Sequence, residues 1–507
     1  MELLTTTEIA KKWNISARRV AILCSEGRIS KAQKIGNTWL IPANAKKPDD
    51  PRRLNKDIDL PQEPIRVIQY LGSKLKVVDD IISAIDKITP EGSKVADLFS
   101  GSGVVSYRIA QKYLTVSNDV QEYCSVINKT LLASNGRKTA PPTLMGLKET
   151  KSYIDTRNRL ENVFERALNY EKSILENKNY ELLAQLRTKG IFYDGSEMEE
   201  NMRQFNADVF GRAIGMFNIS EIDKERRNGQ YSLFTLYYLN SYFSISQCIE
   251  IDSLRSAIDS LDNEYDRNFS LACLMHAVSE VVCSVGKNFA QPMKVLDGNG
   301  NIKRFAMNRC LRDSLLSLEK PYTDMYEKLM QRDEVFSSDN QIYCEDIITL
   351  LDSFKPGEIA TFYLDPPYTI DHYSRFYHVL ETLVRYDYPE LERKRLNGRE
   401  RILNGRYRAD RYQSGFCIPS RGPLEFEKMI SKIRSLDGNI ILSYSDSNDS
   451  LDTRKRVISI DELNAILKKY YRKIDMERIN HRYRKLSERE TNRRELDDSE
   501  VLFICHI

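Results

Sequence analysis

Two consecutive prolines after a short apolar run constrain the fold of this chain more than any other feature. Residues 360–364 have the pattern of a buried strand, and Asp365-Pro366-Pro367-Tyr368 comes directly after them. Proline has no backbone N–H to donate to a sheet ladder, so the pair belongs just beyond the end of the strand. We therefore expect Asp365 and Tyr368 at the carboxyl edge of a sheet, where open α/β sheets form their binding crevices.

A second strand end, far earlier in the chain, carries a glycine-rich loop. An apolar run over 95–99 leads into Ser100-Gly101-Ser102-Gly103, and a helix is expected to begin near Val104. Glycines allow a tight turn, close approach of the backbone to a ligand, and free amides that suit an anionic group. Asp119 ends the next predicted strand, where a carboxylate can accept hydrogen bonds from two ribose hydroxyls. Together these strand ends predict a site for a nucleoside-bearing cofactor.

The pattern along the chain predicts an α/β domain with one large interruption. Helices alternate with short apolar strands over 65–145 and again over 336–507, whereas residues 146–335 are mainly helical and rich in aromatic residues. Residues 481–484 and 501–505 flank a charged loop, which indicates an antiparallel hairpin that closes the sheet. At 507 residues the chain is too long for one ordinary core, so several domains are expected.

The first 42 residues predict a separate small domain. Residues 5–8 have capping-box spacing before a helix that runs to about residue 13, and Ser16 caps a second helix that Gly27 ends. A hairpin that turns at Gly36-Asn37 has the place of a wing. This unit resembles the winged helix-turn-helix of excisionases and mercury-resistance-type regulators; a helical cap with a solvated basic face is the alternative. The prolines and charges of residues 43–64 predict an extended polar linker.

Positive charge is concentrated in two stretches, although the formal net charge is only +3. Residues 1–60 hold 12 Lys and Arg against 7 Asp and Glu, and residues 393–421 hold 9 against 2. A polyanion is expected to bind where such an excess lies. For residues 393–421, the alternative to a polyanion-binding surface is a solvated surface loop.

Composition excludes several other classes. Apolar residues make up 41% of the chain without an uninterrupted run of about eighteen, and the first residues lack the pattern of a signal peptide. We therefore expect a cytoplasmic protein that has no membrane partner. The nine cysteines are scattered without a CxxC pair and with few histidines nearby, which predicts reduced thiols and no metal site.

Four motifs in this order resemble those of the Dam-like (D12) class of DNA N6-adenine methyltransferases. The resemblance covers residues 65–135 and 340–507, and the family's target-recognition region also lies between the ribose-binding acid and the last motif. The motifs are Tyr70-Leu71-Gly72-Ser73-Lys74, Asp97-Leu98-Phe99-Ser100-Gly101-Ser102-Gly103, Ser117-Asn118-Asp119 and Asp365-Pro366-Pro367-Tyr368.

The resemblance implies a Rossmann-like methyltransferase sheet that binds S-adenosyl-L-methionine, with residues 146–335 as the target-recognition insertion. Tyr70 and Lys74 would border the methionine end of the cofactor, with Lys74 near its carboxylate, and Asp119 would bind its ribose. Asp346 would accept a hydrogen bond from the cofactor's adenine, whose ring would pack on Ile347; a salt-bridged surface acid is the alternative for Asp346. The methionine pocket would be shaped by Asp97, Phe99, Gly101 and Gly103.

The implied reaction is methylation of N6 of adenine in double-stranded DNA. That amine is a poor nucleophile because its lone pair is delocalised into the ring, and acceptors on its hydrogens raise its nucleophilicity. The Asp365 carboxylate and the Pro366 carbonyl are suited to accept those hydrogens, while Tyr368 stacks on the base once it has left the duplex. N4-cytosine methylation is an alternative, but that chemistry usually has Ser or Thr in place of Asp365.

The basic residues indicate duplex DNA as the partner. Arg406, Arg408 and Arg411 would bind DNA phosphates in the basic stretch. Arg18 and Arg19 would lie at the exposed start of the second N-terminal helix, which would bind duplex DNA either at the enzyme's own promoter or at the substrate. A cognate restriction endonuclease is a further partner that this class of enzyme can have. A different class of function is a transcription regulator on a methyltransferase scaffold; it would not bind the cofactor.

Overall fold

The structure, a computed structural model, describes most of the chain and divides it into two compact units, Met1–Glu63 and Pro64–Ile507. The predicted linker over 43–64 lies almost entirely outside the described residues. No helix within the described ranges is both long enough and apolar enough to span a membrane. The described residues are 3–13, 16–25, 29, 32–36, 38–43, 45, 47, 65–133, 140–190, 200–332, 336–396, 399–445, 456–483 and 496–507.

The N-terminal unit has its two helices and its hairpin where the sequence predicts them. Its elements are β1 (Leu3–Thr5), α1 (Thr6–Trp13), α2 (Ala17–Ser25), β2 (Gln33–Ile35) and β3 (Thr38–Pro42).

A capping box starts α1, because the Thr5 amide and hydroxyl both donate to the Glu8 carboxylate at 2.8 Å. Strand β1 pairs antiparallel with β3, which the sequence did not predict, and gives a three-stranded sheet in the order β1-β3-β2. The helices and the sheet bury Ile9, Val20 and Ile41 in a common core. The predicted helix end at Gly27 lies outside the described residues.

The larger unit contains a seven-stranded sheet and a separate two-stranded hairpin. Their strands are β4 (Lys94–Asp97), β5 (Leu114–Asn118), β6 (Gln341–Tyr343), β7 (Thr361–Leu364), β8 (Arg393–Leu396), β9 (Arg399–Ile402), β10 (Asn439–Ser445), β11 (Lys473–Tyr483) and β12 (Leu496–His506).

Helices cover this sheet and fill the long segment between β5 and β6. They are α3 (Val78–Ile88), α4 (Val104–Ala110), α5 (Glu122–Leu131), α6 (Leu144–Lys148), α7 (Lys151–Glu176), α8 (Tyr180–Lys189), α9 (Glu200–Phe210), α10 (Ile219–Arg227), α11 (Leu233–Tyr237), α12 (Ile245–Asp259), α13 (Glu264–Val281), α14 (Arg304–Ser314), α15 (Glu319–Met330), α16 (Ile347–Ser353), α17 (Tyr373–Arg385), α18 (Gly422–Ser435) and α19 (Ile460–Tyr470).

The strand order of the large sheet, β11-β12-β10-β7-β4-β5-β6, fixes the position of its crevice. Strands β10, β7, β4, β5 and β6 are parallel, whereas β12 is antiparallel to both β10 and β11. From β4 the chain proceeds to β5 and β6 on one side and later returns to β7 on the other. Such a reversal leaves a crevice at the carboxyl ends of the two central strands. This mainly parallel sheet fits a methyltransferase fold, and the predicted closing hairpin of β11 and β12 is confirmed.

The insertion shares its core with the sheet domain. Apolar side chains of α12 and α13, such as Leu254 and Leu274, belong to the same buried cluster as Ile127 of α5 and Leu380 of α17. Because α17 directly follows the proline corner, this shared core connects the insertion to the strand end that carries Asp365.

Candidate functional site

The carboxyl ends of the central strands surround a cavity. Residues from the ends of β4, β5, β6 and β7 line it, as the strand order requires. The lining residues are Tyr70, Leu71, Leu98, Phe99, Asn118, Asp119, Val120, Gln121, Glu345, Ile347, Asp365, Pro367, His372, Tyr373, Ser374, Tyr412, Ser414, Phe416 and Cys417.

The glycine loop after β4 has the backbone that its sequence predicts. Gly101 and Gly103 have φ of 49° and 79°, in the left-handed region that favours glycine. A Cβ at Gly101 would lie 2.8 Å from the Tyr70 ring, and Gly103 caps α4. The loop therefore requires glycine both for its turn and for its contact with Tyr70.

Asp119, at the end of β5, joins two loops of the cavity wall. One carboxylate oxygen accepts the Gly101 amide at 3.0 Å, and the other accepts the Gln121 amide at 3.0 Å. Burial raises the pKa of the carboxyl, while the amides of Gln121 and Gly101 oppose that rise. Asp119 lines the cavity, so its side chain lies within reach of a ligand that binds there.

Asp97 ends β4 and is buried without lining the cavity. Its Oδ2 accepts the Ser106 hydroxyl at 2.7 Å, whereas its Oδ1 has no hydrogen-bond partner. Burial raises the pKa of Asp97 to about 7. A buried acceptor without a donor is unusual, and it suits a ligand that brings an N–H group.

Asp365 lies beside the buried ammonium of Lys74, which the family resemblance assigned to the carboxylate of the cofactor. The Lys74 ammonium is 2.8 Å from Asp365 Oδ1 and 3.5 Å from Glu500 Oε1, and the Lys74 side chain is 3% exposed. The expectation that Lys74 binds a cofactor carboxylate is not met, because two protein carboxylates already share its ammonium and it does not line the cavity. Glu500 was not predicted from the sequence. The feature that could have indicated it is a single carboxylate directly before the apolar run 501–505.

Tyr368 has a neighbour that no sequence motif indicated. The guanidinium of Arg456 lies 4.7 Å from the centre of the Tyr368 ring, and Tyr444 packs against that ring edge-on at 5.4 Å. The Tyr368 carbonyl also accepts the Val457 amide at 3.1 Å. These contacts fix the ring at the cavity end of β7; its predicted stacking on a base stays a prediction.

The predicted adenine-binding element divides into two parts. Ile347 and Glu345 line the cavity, as the prediction requires for Ile347. Asp346 is exposed and caps α16, because its Oδ1 accepts the Ile348 amide at 3.0 Å while the Tyr412 hydroxyl lies 3.3 Å from Oδ2. This carboxylate has a structural role in capping, and its role toward a cofactor stays a prediction.

The basic stretch of residues 393–421 corrects one prediction. Arg408 is 1% exposed, and its guanidinium forms a two-pronged ion pair with Asp387 at 2.6 and 2.7 Å and a further one with Asp410 at 2.9 Å. The assignment of Arg408 to a DNA phosphate is therefore wrong, because a buried and fully paired guanidinium is not available to a ligand. Arg406 is also buried, and Arg411 pairs with Glu392 at 3.2 Å.

Two aromatic residues of this stretch are buried, whereas Tyr412 is exposed. Tyr407 is buried and donates to the Ala290 carbonyl, and Phe416 packs edge-on against Phe99. The exposed cations of the described part of this stretch are Arg421, at the start of α18, and four residues of the β8–β9 hairpin, Arg393, Lys394, Arg395 and Arg401. In the N-terminal unit Arg18 is exposed, and the side chain of Arg19 lies outside the described part of the chain.

The part of the chain that the structure describes contains no group of three or more His, Cys, Asp and Glu side chains placed to hold a metal ion.

Comparison with known proteins finds one similar family and several similar proteins. Residues 70–245 match the D12 class N6 adenine-specific DNA methyltransferase family. The chain is 24% identical to Modification methylase LlaI of Lactococcus lactis subsp. lactis over 80% of its length and 49% of that protein. It is 21% identical to Modification methylase StsI of Streptococcus sanguinis over 81% of its length and 50% of that protein. Type II methyltransferase M.FokI of Planomicrobium okeanokoites is 23% identical over 64% of the chain and 38% of that protein.

The chain thus spans about half the length of the first two of these relatives. The family match covers the Tyr70 segment, the glycine loop and Asp119, while the aligned relatives extend over a larger share of the chain. The mainly parallel sheet fits a methyltransferase fold, residues 70–245 are similar to the D12 class of N6 adenine-specific DNA methyltransferases, and the first two relatives are named modification methylases.

Proposed function

We propose that this protein methylates N6 of adenine at a specific site in duplex DNA, with S-adenosyl-L-methionine as the methyl donor. The observation that carries the proposal is that Phe99, Asp119 and Asp365, which follow three central strands of the sheet, line one cavity. The bound cofactor would supply a methyl group made electrophilic by a sulfonium.

The cavity has suitable groups for each part of that cofactor. Asp119 and Ile347 both line the cavity, where Asp119 would accept ribose hydroxyls and Ile347 would pack on a purine ring. Tyr70 and Phe99 line the end of the cavity near the glycine loop.

Asp365 would receive the target base after it leaves the duplex. An enzyme that modifies a base has to extrude it from the stack, and the cavity opens beside the corner that holds Asp365 and Pro366. The Asp365 carboxylate and the Pro366 carbonyl would accept the two amine hydrogens and aim the nitrogen lone pair at the methyl group. Positioning of this kind can supply a large part of a rate enhancement.

DNA contact would come from surfaces away from the cavity. We propose that the N-terminal unit binds duplex DNA as a winged helix-turn-helix through the start of α2, where Arg18 is exposed. Residues 146–335 would contribute target recognition, and the exposed cations of the β8–β9 hairpin would replace Arg408 as phosphate contacts.

The names of the relatives suggest the biological setting. Modification methylases LlaI and StsI and Type II methyltransferase M.FokI carry names that refer to DNA modification. We extend that setting to this chain and propose that it works in a restriction-modification system with a cognate endonuclease.

The proposal can be tested by mapping methylated bases in DNA from cells that express the full chain. We expect N6-methyladenine within one recurring sequence, and no such mark in cells that express Asp365→Ala. Methyl groups on cytosine N4 would support the cytosine alternative. If the purified protein also failed to bind S-adenosylhomocysteine in calorimetry, a regulator on a methyltransferase scaffold would be the better account.

A further inference from the structure

Three charged side chains from distant parts of the chain meet behind the cavity. Lys74 lies in a short 3-10 turn (Lys74–Lys76) before α3, Asp365 follows β7, and Glu500 lies in β12. The Lys74 ammonium is 2.8 Å from Asp365 and 3.5 Å from Glu500. Glu500 is fully buried and also accepts the Ser443 hydroxyl. We call Lys74, Asp365 and Glu500 the triad.

The charge of the triad differs from that of a simple ion pair. One ammonium shared by two ionised carboxylates leaves a net charge of −1. A Lys74–Asp365 pair alone would be neutral, and its carboxylate would be a weak acceptor. Glu500 therefore supplies the excess negative charge, and it acts at short range because burial weakens screening by water.

The chemistry at N6 needs such an excess charge. When the amine gains a methyl group, the nitrogen becomes cationic and one N–H bond has to break. The proton from that bond requires an acceptor within hydrogen-bond reach, and the bonding electrons return to the nitrogen.

We propose that Glu500, through Lys74, is a positioning residue that keeps Asp365 basic enough to take this proton. Proton transfer to an Asp365 oxygen would change the triad from −1 to neutral, so the charge balances without a further reactant. This inference rests on the proposed adenine methylation and adds a role for a residue from the last strand.

The other polar groups around Asp365 do not supply the same charge. Burial raises the pKa of Tyr363, Tyr368 and Tyr373, so these hydroxyls stay neutral near pH 7. Arg456 lies over the Tyr368 ring. Asp97 is a second carboxyl near Asp365, and its pKa of about 7 means that it titrates in a similar range.

The direction of the pKa shift agrees with the geometry. Burial raises the pKa of Asp365 to about 6, Lys74 opposes the rise, and Glu500 adds to it. Loss of the Glu500 charge should therefore lower the pKa of Asp365.

The decisive experiment is the pH profile of single-turnover methyl transfer by the full chain. For the native protein we expect the rate to rise with pH through about 6 as Asp365 ionises. Glu500→Gln should lower the plateau by about tenfold and move the midpoint down by about one pH unit, with affinities for DNA and S-adenosylhomocysteine within about twofold. Glu500→Asp keeps the charge and should keep the midpoint. An unchanged profile for Glu500→Gln would overturn the proposal.

Two controls identify the group that titrates. Glu477→Gln removes a carboxylate from β11 in the same hairpin, where Glu477 is exposed and pairs with Lys87, and should leave the profile unchanged. Asp97→Asn should leave the midpoint near 6 if Asp365 sets it. A midpoint that moves with Asp97→Asn and stays fixed with Glu500→Gln would also overturn the proposal.

A second measurement does not depend on activity. Lys74→Met should lower the melting temperature because two carboxylates lose their shared cation, and Glu500→Gln in the same chain should restore part of the loss. Additive changes would show that the triad is not coupled and would reject the inference even if Glu500→Gln did not fold well enough for kinetics. If the melting temperatures are coupled but the native protein methylates no DNA, the triad stands while the proposed function and the proton role both fail.

Discussion

The carboxyl edge of the sheet and the basic stretch of residues 393–421 differ in how well their sequences predicted their structures. At the sheet edge, Phe99, Asp119 and Asp365 line one cavity although they lie far apart in the chain, and the Gly101 amide donates to Asp119. In the basic stretch, Arg408 turns inward to Asp387 and Asp410, and it is not available to a polyanion.

The difference follows from the kind of constraint in each region. Glycine and proline act on their own backbone, and strand ends in a parallel sheet share one edge, so local patterns locate the site. A cluster of like charges has no such geometric rule, because each cation can pair with any acid that folding brings near it. Positive charge alone is thus a weaker guide to a binding surface than a motif at a strand end.

The strongest test of the sheet edge is Asp365→Ala. We expect methyl transfer to fall by about 10² to 10⁴-fold, the usual contribution of a positioned proton acceptor, while cofactor affinity changes little. The measurement is radiolabelled methyl transfer by purified protein, with calorimetry of S-adenosylhomocysteine. Asp365→Asn, which keeps the shape beside Lys74, separates loss of charge from loss of packing. Transfer near the native rate would remove Asp365 from the site.

The basic stretch can be tested by reversing a buried and an exposed arginine. Arg408→Glu should lower the free energy of unfolding by about 3 to 5 kcal/mol, because it leaves Asp387 and Asp410 facing a third carboxylate in a buried place. Denaturant unfolding measures this loss. A stable Arg408→Glu variant with weakened DNA binding would show instead that Arg408 contacts DNA.

Arg401→Glu is the matched exposed change, on strand β9. It should alter the free energy of unfolding by no more than about 0.5 kcal/mol. If the β8–β9 hairpin contacts DNA, it should also reduce the log–log salt slope of DNA binding by about one unit per phosphate contact. An unchanged salt slope would show that Arg401 of this hairpin does not contact a DNA phosphate.

Asp119→Ala should have a smaller effect, on cofactor binding. Loss of hydrogen bonds to a charged acceptor should weaken binding of S-adenosylhomocysteine by about 10 to 100-fold. Because the carboxylate also accepts the Gly101 amide, part of the loss will come from a less ordered glycine loop. Asp119→Asn keeps the shape of the side chain and should retain part of the affinity. Native affinity in both variants would contradict the ribose assignment.

The smallest effect is expected from deletion of residues 1–60. If this unit binds a promoter, the KM for a standard duplex should change by less than about twofold, because the catalytic unit keeps its own DNA contacts. Arg18→Ala in the full chain is the milder companion change. A KM several times higher in both variants would show that the unit holds substrate DNA.

The sequence predicted the α/β class, the glycine loop, the proline corner and the closing hairpin. It also predicted the helices and hairpin of the N-terminal unit, but it missed the pairing of β1 with β3. That strand has three residues, and its partner lies more than thirty positions away. Too little local pattern exists in three residues to distinguish a strand from an irregular start.

By itself, the sequence determined where the backbone turns and which strand ends carry reactive groups, because φ limits and missing amide hydrogens act within a few residues. Only the tertiary structure decided the partners of the charges. Glu500 of β12 lies near Asp365, at the end of β7, because β12 pairs with β10 and β10 pairs with β7. The Lys74 ammonium, in the turn before α3, lies within 3.5 Å of both carboxylates. Arg408 meets Asp387 for a similar reason. Ion pairs depend on distances across the fold, and no spacing along the chain encodes those distances.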